Sequence, residues 1–299
     1  MHTMSLAETG DSTGAVSLSG LFEDRFEPMQ SHLGLADLAD IVCRGGWPAL
    51  QTGESTNPKA VAAGYLDALF EVSMPHAGKS PVLSRRIATS LACNVATSAT
   101  MGTMRSDIAA LGDVAPADAT ISSYLEGFRR NYFIEELPGW DAPIRSRSRL
   151  RTKPKRYLCD TSLVASLLGV DPSRLLKDGQ LLGLLIESLC IHDLLVYVSA
   201  LPESYGSSLR YYADADGLEV DAIIELADGR WAAVEIKTGE SKVEKAAANL
   251  MRLAAKVAAN PAARNPKPSF MAVLLGKGTM ARRRGSDGVY VIPIDTLGA

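Results

Sequence analysis

Three residues in the second half of the chain have the types and spacing of a metal-dependent hydrolytic site. Asp221 lies in the segment LEVDAIIEL (218–226), and Glu235 and Lys237 lie in WAAVEIK (231–237). Both segments alternate in polarity and are rich in β-formers, which predicts two neighbouring strands of a hairpin. Taken alone, Glu235-x-Lys237 is more typical of a solvent-facing strand with an ion pair than of a catalytic site.

The length of the hairpin loop decides whether the two acids meet. A two-residue turn at 228–229 would put Asp221 and Glu235 on opposite faces of the sheet. A three-residue loop at 227–229, with Gly229 in the left-handed conformation, pairs them directly. Only the longer loop makes the apolar faces of the two strands coincide, so we expect that register, with the two Cβ atoms about 5 Å apart.

Two carboxylates held so close repel each other unless a cation lies between them. A divalent ion bound by Asp221, Glu235 and the backbone carbonyl of Ile236 would neutralise the pair, and all-oxygen ligation suits Mg²⁺ or Mn²⁺. Such an ion activates water for phosphodiester hydrolysis, and Lys237 would orient that water or stabilise the transition state. Glu187, inside an apolar helical segment, either reaches a cation or polar partner or lies at a wet edge, and we expect it to assist the metal site.

The composition describes a globular chain. Of its 299 residues, 46% are apolar and 22% are charged, and the formal net charge is −3. No run of about 18 uncharged apolar residues is present to cross a bilayer. The N-terminus lacks the basic and apolar regions of a secretory signal, so we expect a cytoplasmic protein without a membrane partner.

One short segment is strongly basic on this acidic chain. Its seven basic residues, with no acid among them, are Arg145, Arg147, Arg149, Arg151, Lys153, Lys155 and Arg156. Arginines at every second position of a β-ribbon would make several phosphate contacts with nucleic acid. A solvated surface or a contact with an acidic domain is the alternative interpretation.

The pattern along the chain predicts an α+β protein in three parts. Residues 1–54 are expected to be an irregular segment with a short helix at 35–44. Residues 55–157 contain three helical segments followed by the basic ribbon, which is typical of a winged helix; a plain three-helix packing module is the alternative. Residues 158–299 follow the order α-β-β-β-α-β-β, with a capping box of Ser241 and Glu244 at the start of the second helix.

The motifs resemble a known family. They are RGGWPAL (44–50), YLDALF (65–70), TISSYLEGFRRNYFIEELPGW (120–140), PKRYLCDTSL (154–163), LGLLIESL (182–189), EVDAII (219–224) and AVEIKTG (233–239). Nearly the whole chain from about residue 20 is similar to the C-terminal half of bacterial and archaeal ATP-binding proteins, catalogued as domain of unknown function 4143. The spacing of Glu187, Asp221 and Glu235-Ile236-Lys237 also resembles the PD-(D/E)XK nuclease superfamily.

The resemblance implies a nuclease-like core and a nucleic-acid partner, with DNA favoured. It also implies an AAA-type ATPase domain acting in cis or in trans, whereas residues 73–80 lack the first glycine of a P-loop, so we expect no ATP site in this chain. The alternative is a catalytically silent module that binds nucleic acid or protein and positions an ATPase. A third interpretation is an interaction domain that never touches nucleic acid. The oligomeric state is open.

Overall fold

Helices and strands fill most of the chain, which is an α+β protein. The computed structural model describes residues 2–112, 114–143, 146–202, 205–206 and 208–299, without the side chains of Leu150 and Arg151. The helices are α1 Leu6–Thr9, α2 Leu18–Phe22, α3 Leu35–Arg44, α4 Pro48–Gln51, α5 Pro58–Ala68, α6 Met74–His76, α7 Pro81–Cys93, α8 Met101–Ala110, α9 Asp118–Arg130, α10 Ser148–Arg151, α11 Thr161–Leu168, α12 Pro172–Leu175, α13 Gly179–Ala200 and α14 Val243–Ala258. The strands are β1 Val16–Ser17, β2 Met29–Gln30, β3 Ile134–Leu137, β4 Lys155–Leu158, β5 Ser208–Ala213, β6 Glu219–Glu225, β7 Trp231–Gly239, β8 Phe270–Lys277, β9 Met280–Arg283, β10 Tyr290–Pro293 and β11 Leu297–Gly298.

The contacts along the chain define two compact units. Unit 1 contains Ala39–Glu136, Lys155–Ser188 and the N-terminal residues through Thr3. Unit 2 contains Met4–Leu38, Leu137–Pro154 and Leu189–Ala299. These bounds differ from the three consecutive segments expected from the sequence, because both units draw on separate stretches of chain.

Residues 2–30, which the sequence predicts to be irregular, contain two short helices and two short strands joined by coil. Strand β1 pairs in parallel with the C-terminal β11, and β2 pairs with β9. Ser5 and Glu8 form a capping box on α1, and the buried Asp193 accepts a hydrogen bond from the Leu6 N–H at 3.2 Å. These partners lie far away in sequence, which is why local composition did not reveal the fold of this segment.

Unit 2 is built on a mixed seven-stranded sheet in the order β2-β9-β10-β8-β7-β6-β5. Strands β7, β8 and β10 run parallel, and the β5–β6–β7 meander is antiparallel. Helix α14 packs over this sheet through one apolar face that includes Ala246, Leu250 and Leu253. The order helix, three strands, helix, strand agrees with the sequence expectation.

The predicted capping box at the start of α14 does not form. A turn of 3₁₀ helix at Glu240–Lys242 precedes α14, and its N-cap has no side-chain hydrogen bond. Both carboxylate oxygens of Glu244 are instead bound by the Arg284 guanidinium, at 2.6 and 2.8 Å. A bidentate charged pair competes successfully with a single hydrogen bond to the backbone.

Helix α13 is the one described helix that is long and apolar enough to span a membrane by length and composition. Its mean hydropathy reaches 1.9 over its most apolar window, and 67% of that window is buried within the protein. The core helix of a globular protein has this same character, so the feature is weak evidence for a membrane span.

Candidate metal centre

The β6–β7 hairpin forms in the predicted register. Ala222 lies opposite Val234, and Glu225 lies opposite Trp231. The loop between them is closed by the Leu226 N–H donating to the Arg230 carbonyl, and Gly229 has a φ of 86°. The same register brings Asp221 level with Glu235, as the three-residue loop requires.

A bulge in β6 changes the faces that were expected from simple alternation. The pairing of β5 with β6 shifts between Arg210 and Tyr212. Val220 and Ile223, three residues apart, consequently belong to one core cluster, although strict alternation would put them on opposite faces. The extra residue of a bulge changes the face of the sheet to which the side chains on either side of it point. Asp221 lies at this irregularity, where the β6–β7 ladder ends.

The two carboxylates converge on one ammonium group. Lys237 Nζ donates to Asp221 Oδ2 at 3.1 Å and to Glu235 Oε2 at 2.5 Å. Asp221 Oδ2 also accepts the backbone N–H of Ile236 at 2.8 Å. Asp221 and Glu235 are only 8% and 2% exposed. The carboxylates therefore lie within reach of a single cation.

Burial and mutual repulsion set the protonation of this group. Burial, followed by the charge of Asp221, raises the pKa of Glu235 to about 7, although Lys237 and Asn249 oppose the rise. Burial would lower the pKa of Lys237, but the two carboxylates outweigh it and the pKa is raised. Lys237 is consequently an ammonium at neutral pH, suited to stabilising negative charge and not to abstracting a proton.

The donor atoms fit a hard divalent cation. Asp221 and Glu235 supply carboxylate oxygens, and the Ile236 carbonyl faces the same side as its N–H because both groups of a strand residue point to one neighbouring strand. The described residues contain no group of three or more His, Cys, Asp and Glu able to hold an ion. Mg²⁺ typically binds through one or two carboxylates and completes its shell with waters and substrate phosphate, so this set suits it.

The centre opens into a cleft of about 430 Å³ that the sequence analysis did not anticipate. Glu219, Lys242, Lys245 and Asn249 line it together with the acids and Lys237. Asn249 Nδ2 donates to Glu235 Oε1 at 3.0 Å. Lys245 and Asn249 are four residues apart and share a face of α14, a spacing that could have indicated them from the sequence.

Glu187 belongs to unit 1, whereas Asp221, Glu235 and Lys237 belong to unit 2. The Glu187 Oε1 atom accepts from Lys155 Nζ at 3.0 Å and from the Tyr157 hydroxyl at 2.9 Å. The Glu187 carboxylate therefore has a cationic and a polar partner within the protein, which was one of the two alternatives expected from the sequence. Its assistance to a metal ion stays a prediction.

The basic segment is not the continuous ribbon that the alternation predicted. Residues 148–151 form α10, and only Lys155–Leu158 form a strand, because the arginines find partners within the chain. Arg149 binds both oxygens of Glu225 at 2.8 and 2.9 Å, and Arg156 donates to Glu136 at 2.8 Å. Lys155 is 5% exposed and pairs with Glu187.

Two other members of the basic segment, Arg147 and Lys153, are exposed. Arg145 and the Arg151 side chain lie outside the described residues. The nucleic-acid role of the whole segment stays a prediction, with Arg147 and Lys153 as its exposed described members.

Two family models match the chain, each over a different part. Residues 182–297 match Domain of unknown function (DUF4143). Residues 35–174 match a separate family, Domain of unknown function (DUF8612). The first match spans the hairpin and α14, so the candidate metal centre lies inside it. The similarity expected over nearly the whole chain is therefore divided between two families.

Among curated proteins, two uncharacterized proteins of Mycobacterium bovis and Mycobacterium tuberculosis are each 28% identical to the chain over 196 residues. The aligned region covers 65% of this chain and 41% of each relative. The chain thus spans less than half the length of these relatives. No solved structure matches it significantly.

Proposed function

We propose that the chain is a Mg²⁺- or Mn²⁺-dependent phosphodiesterase of the PD-(D/E)XK nuclease type, acting on nucleic acid, with DNA as the first candidate. The observation that carries the proposal is the convergence of two buried carboxylates, Asp221 and Glu235, on the Lys237 ammonium within one cleft. The order α13, β5, β6, β7, α14 and β8, with β7 and β8 parallel, supports the fold assignment.

Each residue has a chemical task in this proposal. Asp221, Glu235 and the Ile236 carbonyl would hold the ion, which when bound supplies Lewis-acid polarisation of the phosphodiester and activation of water. Lys237 carries a positive charge beside the ligands and stabilises the negative charge that develops on the phosphate oxygens. Asn249 fixes the orientation of Glu235 and so acts as a positioning residue.

The proposal extends to unit 1. Helices α7, α8 and α9 followed by the β3–β4 pair have the element order of a winged helix, which would bind nucleic acid. An AAA-type ATPase, in cis or in trans, and a cytoplasmic location complete the proposal as implied by the family resemblance. The proposed winged helix, ATPase partner and location could each be wrong without changing the chemistry proposed at Asp221 and Glu235.

A second candidate function is a catalytically silent module that binds nucleic acid or protein. The observation that favours it is that Lys237 bonds both carboxylates, so the charges are partly neutralised by the protein itself. Nuclease-like folds also serve as binding platforms, because fold alone does not fix activity.

Cleavage of end-labelled single- and double-stranded DNA and RNA, with Mg²⁺, Mn²⁺ or EDTA, distinguishes the two. The proposal expects metal-dependent cleavage by the wild-type chain and a loss of at least 100-fold in Asp221→Asn and Lys237→Ala. Lys267→Ala, an exposed lysine outside the cleft, is the matched control. Absence of cleavage, with both variants folded and nucleic acid still bound, would favour the silent module. Cleavage unchanged in both variants would place activity elsewhere.

A further inference from the structure

A second cleft lies beside the candidate metal centre, at the ends of strands β7 and β8. Its volume is about 340 Å³, and its walls include Thr238, Ser241, Lys242, Lys277 and Thr279. Strands β7 and β8 are parallel, so their carboxyl ends meet at this edge of the sheet. Such edges are where open sheets of this kind bind ligands.

Lys242 is shared by the two clefts. It lines the second cleft, and it also lines the first cleft together with Asp221, Glu235 and Lys237. The 3₁₀ turn Glu240–Lys242 therefore separates two neighbouring spaces. A ligand longer than one phosphodiester could occupy both.

Three of the lysines that line the two clefts are available to bind an anion. Among the residues that the structure describes, none of Lys242, Lys245 and Lys277 forms an ion pair, and all three are exposed. The carboxylate of Glu240, in the wall of the second cleft, is bound at both oxygens by Arg282 at 3.0 and 2.7 Å. The second cleft therefore has an excess of positive charge.

Hydroxyl groups complement the lysines. Thr238, Ser241 and Thr279 carry hydroxyl groups and line the same space. Lysine ammonium and hydroxyl groups are the usual partners of phosphate oxygens. Contacts of this kind hold a nucleic acid in place without recognising its base sequence. Elsewhere in unit 2 the basic side chains of Arg149 and Arg284 are occupied by intramolecular acids.

The geometry points to a second phosphate subsite, formed by Lys242 and Lys277, for the phosphate next to the one cleaved at the metal centre. This inference rests on the proposed phosphodiesterase function and specifies its substrate as a polynucleotide strand. Lys242 lines both clefts, and Lys245 lines only the first, where the scissile phosphate would bind. A minimal phosphodiester would fill only the first cleft.

Binding without turnover tests the subsite independently of catalysis. Fluorescence anisotropy would measure the binding of labelled single- and double-stranded oligonucleotides in Ca²⁺ and in EDTA. The salt concentration would be varied from roughly 50 to 200 mM, because affinity that depends on phosphate contacts falls steeply over this range. The variants are Lys277→Ala and Lys242→Ala, and Lys267→Ala is the matched control. We expect three- to tenfold weaker binding in each cleft variant and a salt slope reduced by roughly 0.7 to 0.9 per lysine.

A substrate comparison separates this inference from the proposed function. With Mg²⁺ or Mn²⁺, Lys277→Ala should raise the KM for an oligonucleotide and leave hydrolysis of bis(p-nitrophenyl) phosphate unchanged. Wild-type affinity and salt slope in Lys277→Ala would overturn the subsite even if cleavage is intact. Weakened binding without any metal-dependent cleavage would support the subsite and contradict the hydrolytic function. If Lys277→Ala lost activity equally on the oligonucleotide and on bis(p-nitrophenyl) phosphate, the second phosphate subsite would also be overturned.

Discussion

The side-chain amide of Asn249 donates a hydrogen bond to Glu235 at 3.0 Å, so helix α14 fixes a carboxylate that strand β7 supplies. Hydrogen-bond partners of this kind orient metal ligands, and their loss lowers the affinity of the site for the metal. We predict that Asn249→Ala weakens Mn²⁺ binding by roughly tenfold or more. Isothermal titration calorimetry measures the change, and Asn260→Ala, after the end of the same helix, is the control. Equal affinity in the two variants would remove Asn249 from the site.

Lys237 should stabilise the protein in the absence of metal. In Lys237→Met, the carboxylates of Asp221 and Glu235 lose their shared cation, which should lower the free energy of unfolding by roughly 2–3 kcal/mol in EDTA. Mn²⁺ should restore more stability to this variant than to the wild type, because the ion would replace the missing charge. Urea unfolding with EDTA and with Mn²⁺ measures both effects. A variant as stable as the wild type in EDTA would contradict this account of the electrostatics.

Arg149 should contribute to stability more than to nucleic-acid binding. Its side chain is 9% exposed, and its guanidinium binds both oxygens of Glu225 and lies 5.7 Å from the centre of the Trp140 ring. Arg149→Gln should cost about 2 kcal/mol of unfolding free energy, whereas the exposed Arg147→Gln should change it by less than about 0.5 kcal/mol. Thermal unfolding compares the two. The reverse order of stability would show that the Glu225 pair is unimportant.

Glu136 gives unit 1 a specific pH dependence. Burial opposes ionisation of Glu136, but hydrogen bonds from Arg129 and Arg156 outweigh it and hold the pKa of Glu136 below its ordinary value of 4.5. A lowered folded-state pKa stabilises the protein above the unfolded-state value, and this contribution is lost as pH falls through the folded-state pKa.

The matching variant is Glu136→Gln. It should be less stable than the wild type by about 1–2 kcal/mol at neutral pH, and the difference should disappear once the pH falls below the lowered folded-state pKa of Glu136. Denaturant unfolding at a series of pH values measures it. A difference that stays constant across this range would assign the effect to packing and not to charge.

The sequence predicted the hairpin because its signals are local. Gly229 suits the left-handed position of a three-residue loop, and the apolar residues of both strands select one register. That register brings Asp221 level with Glu235 and lets Lys237 contact both. Predicted elements such as Leu35–Arg44 also agree with the structure, since helical periodicity is read within one segment.

The rest depended on partners distant in sequence. The parallel pairing of Val16 with Leu297 orders the N-terminus, and no local pattern encodes it. Local alternation predicts that Arg149 belongs to a surface ribbon, whereas in the structure it binds Glu225, which lies 76 residues away in sequence. The bulge near Asp221 likewise follows from the packing of β5 on β6 and not from the alternation of either strand.

In the proposed site, Asp221 and Glu235 share one divalent ion. Isothermal titration of Mn²⁺ into the wild-type chain tests it directly, with Asp221→Asn and Glu235→Gln as variants and Lys267→Ala as control. We predict one ion per chain in the wild type and the control, and at least tenfold weaker binding in each ligand variant. Absence of wild-type binding, or binding that is unchanged in both ligand variants, would contradict it.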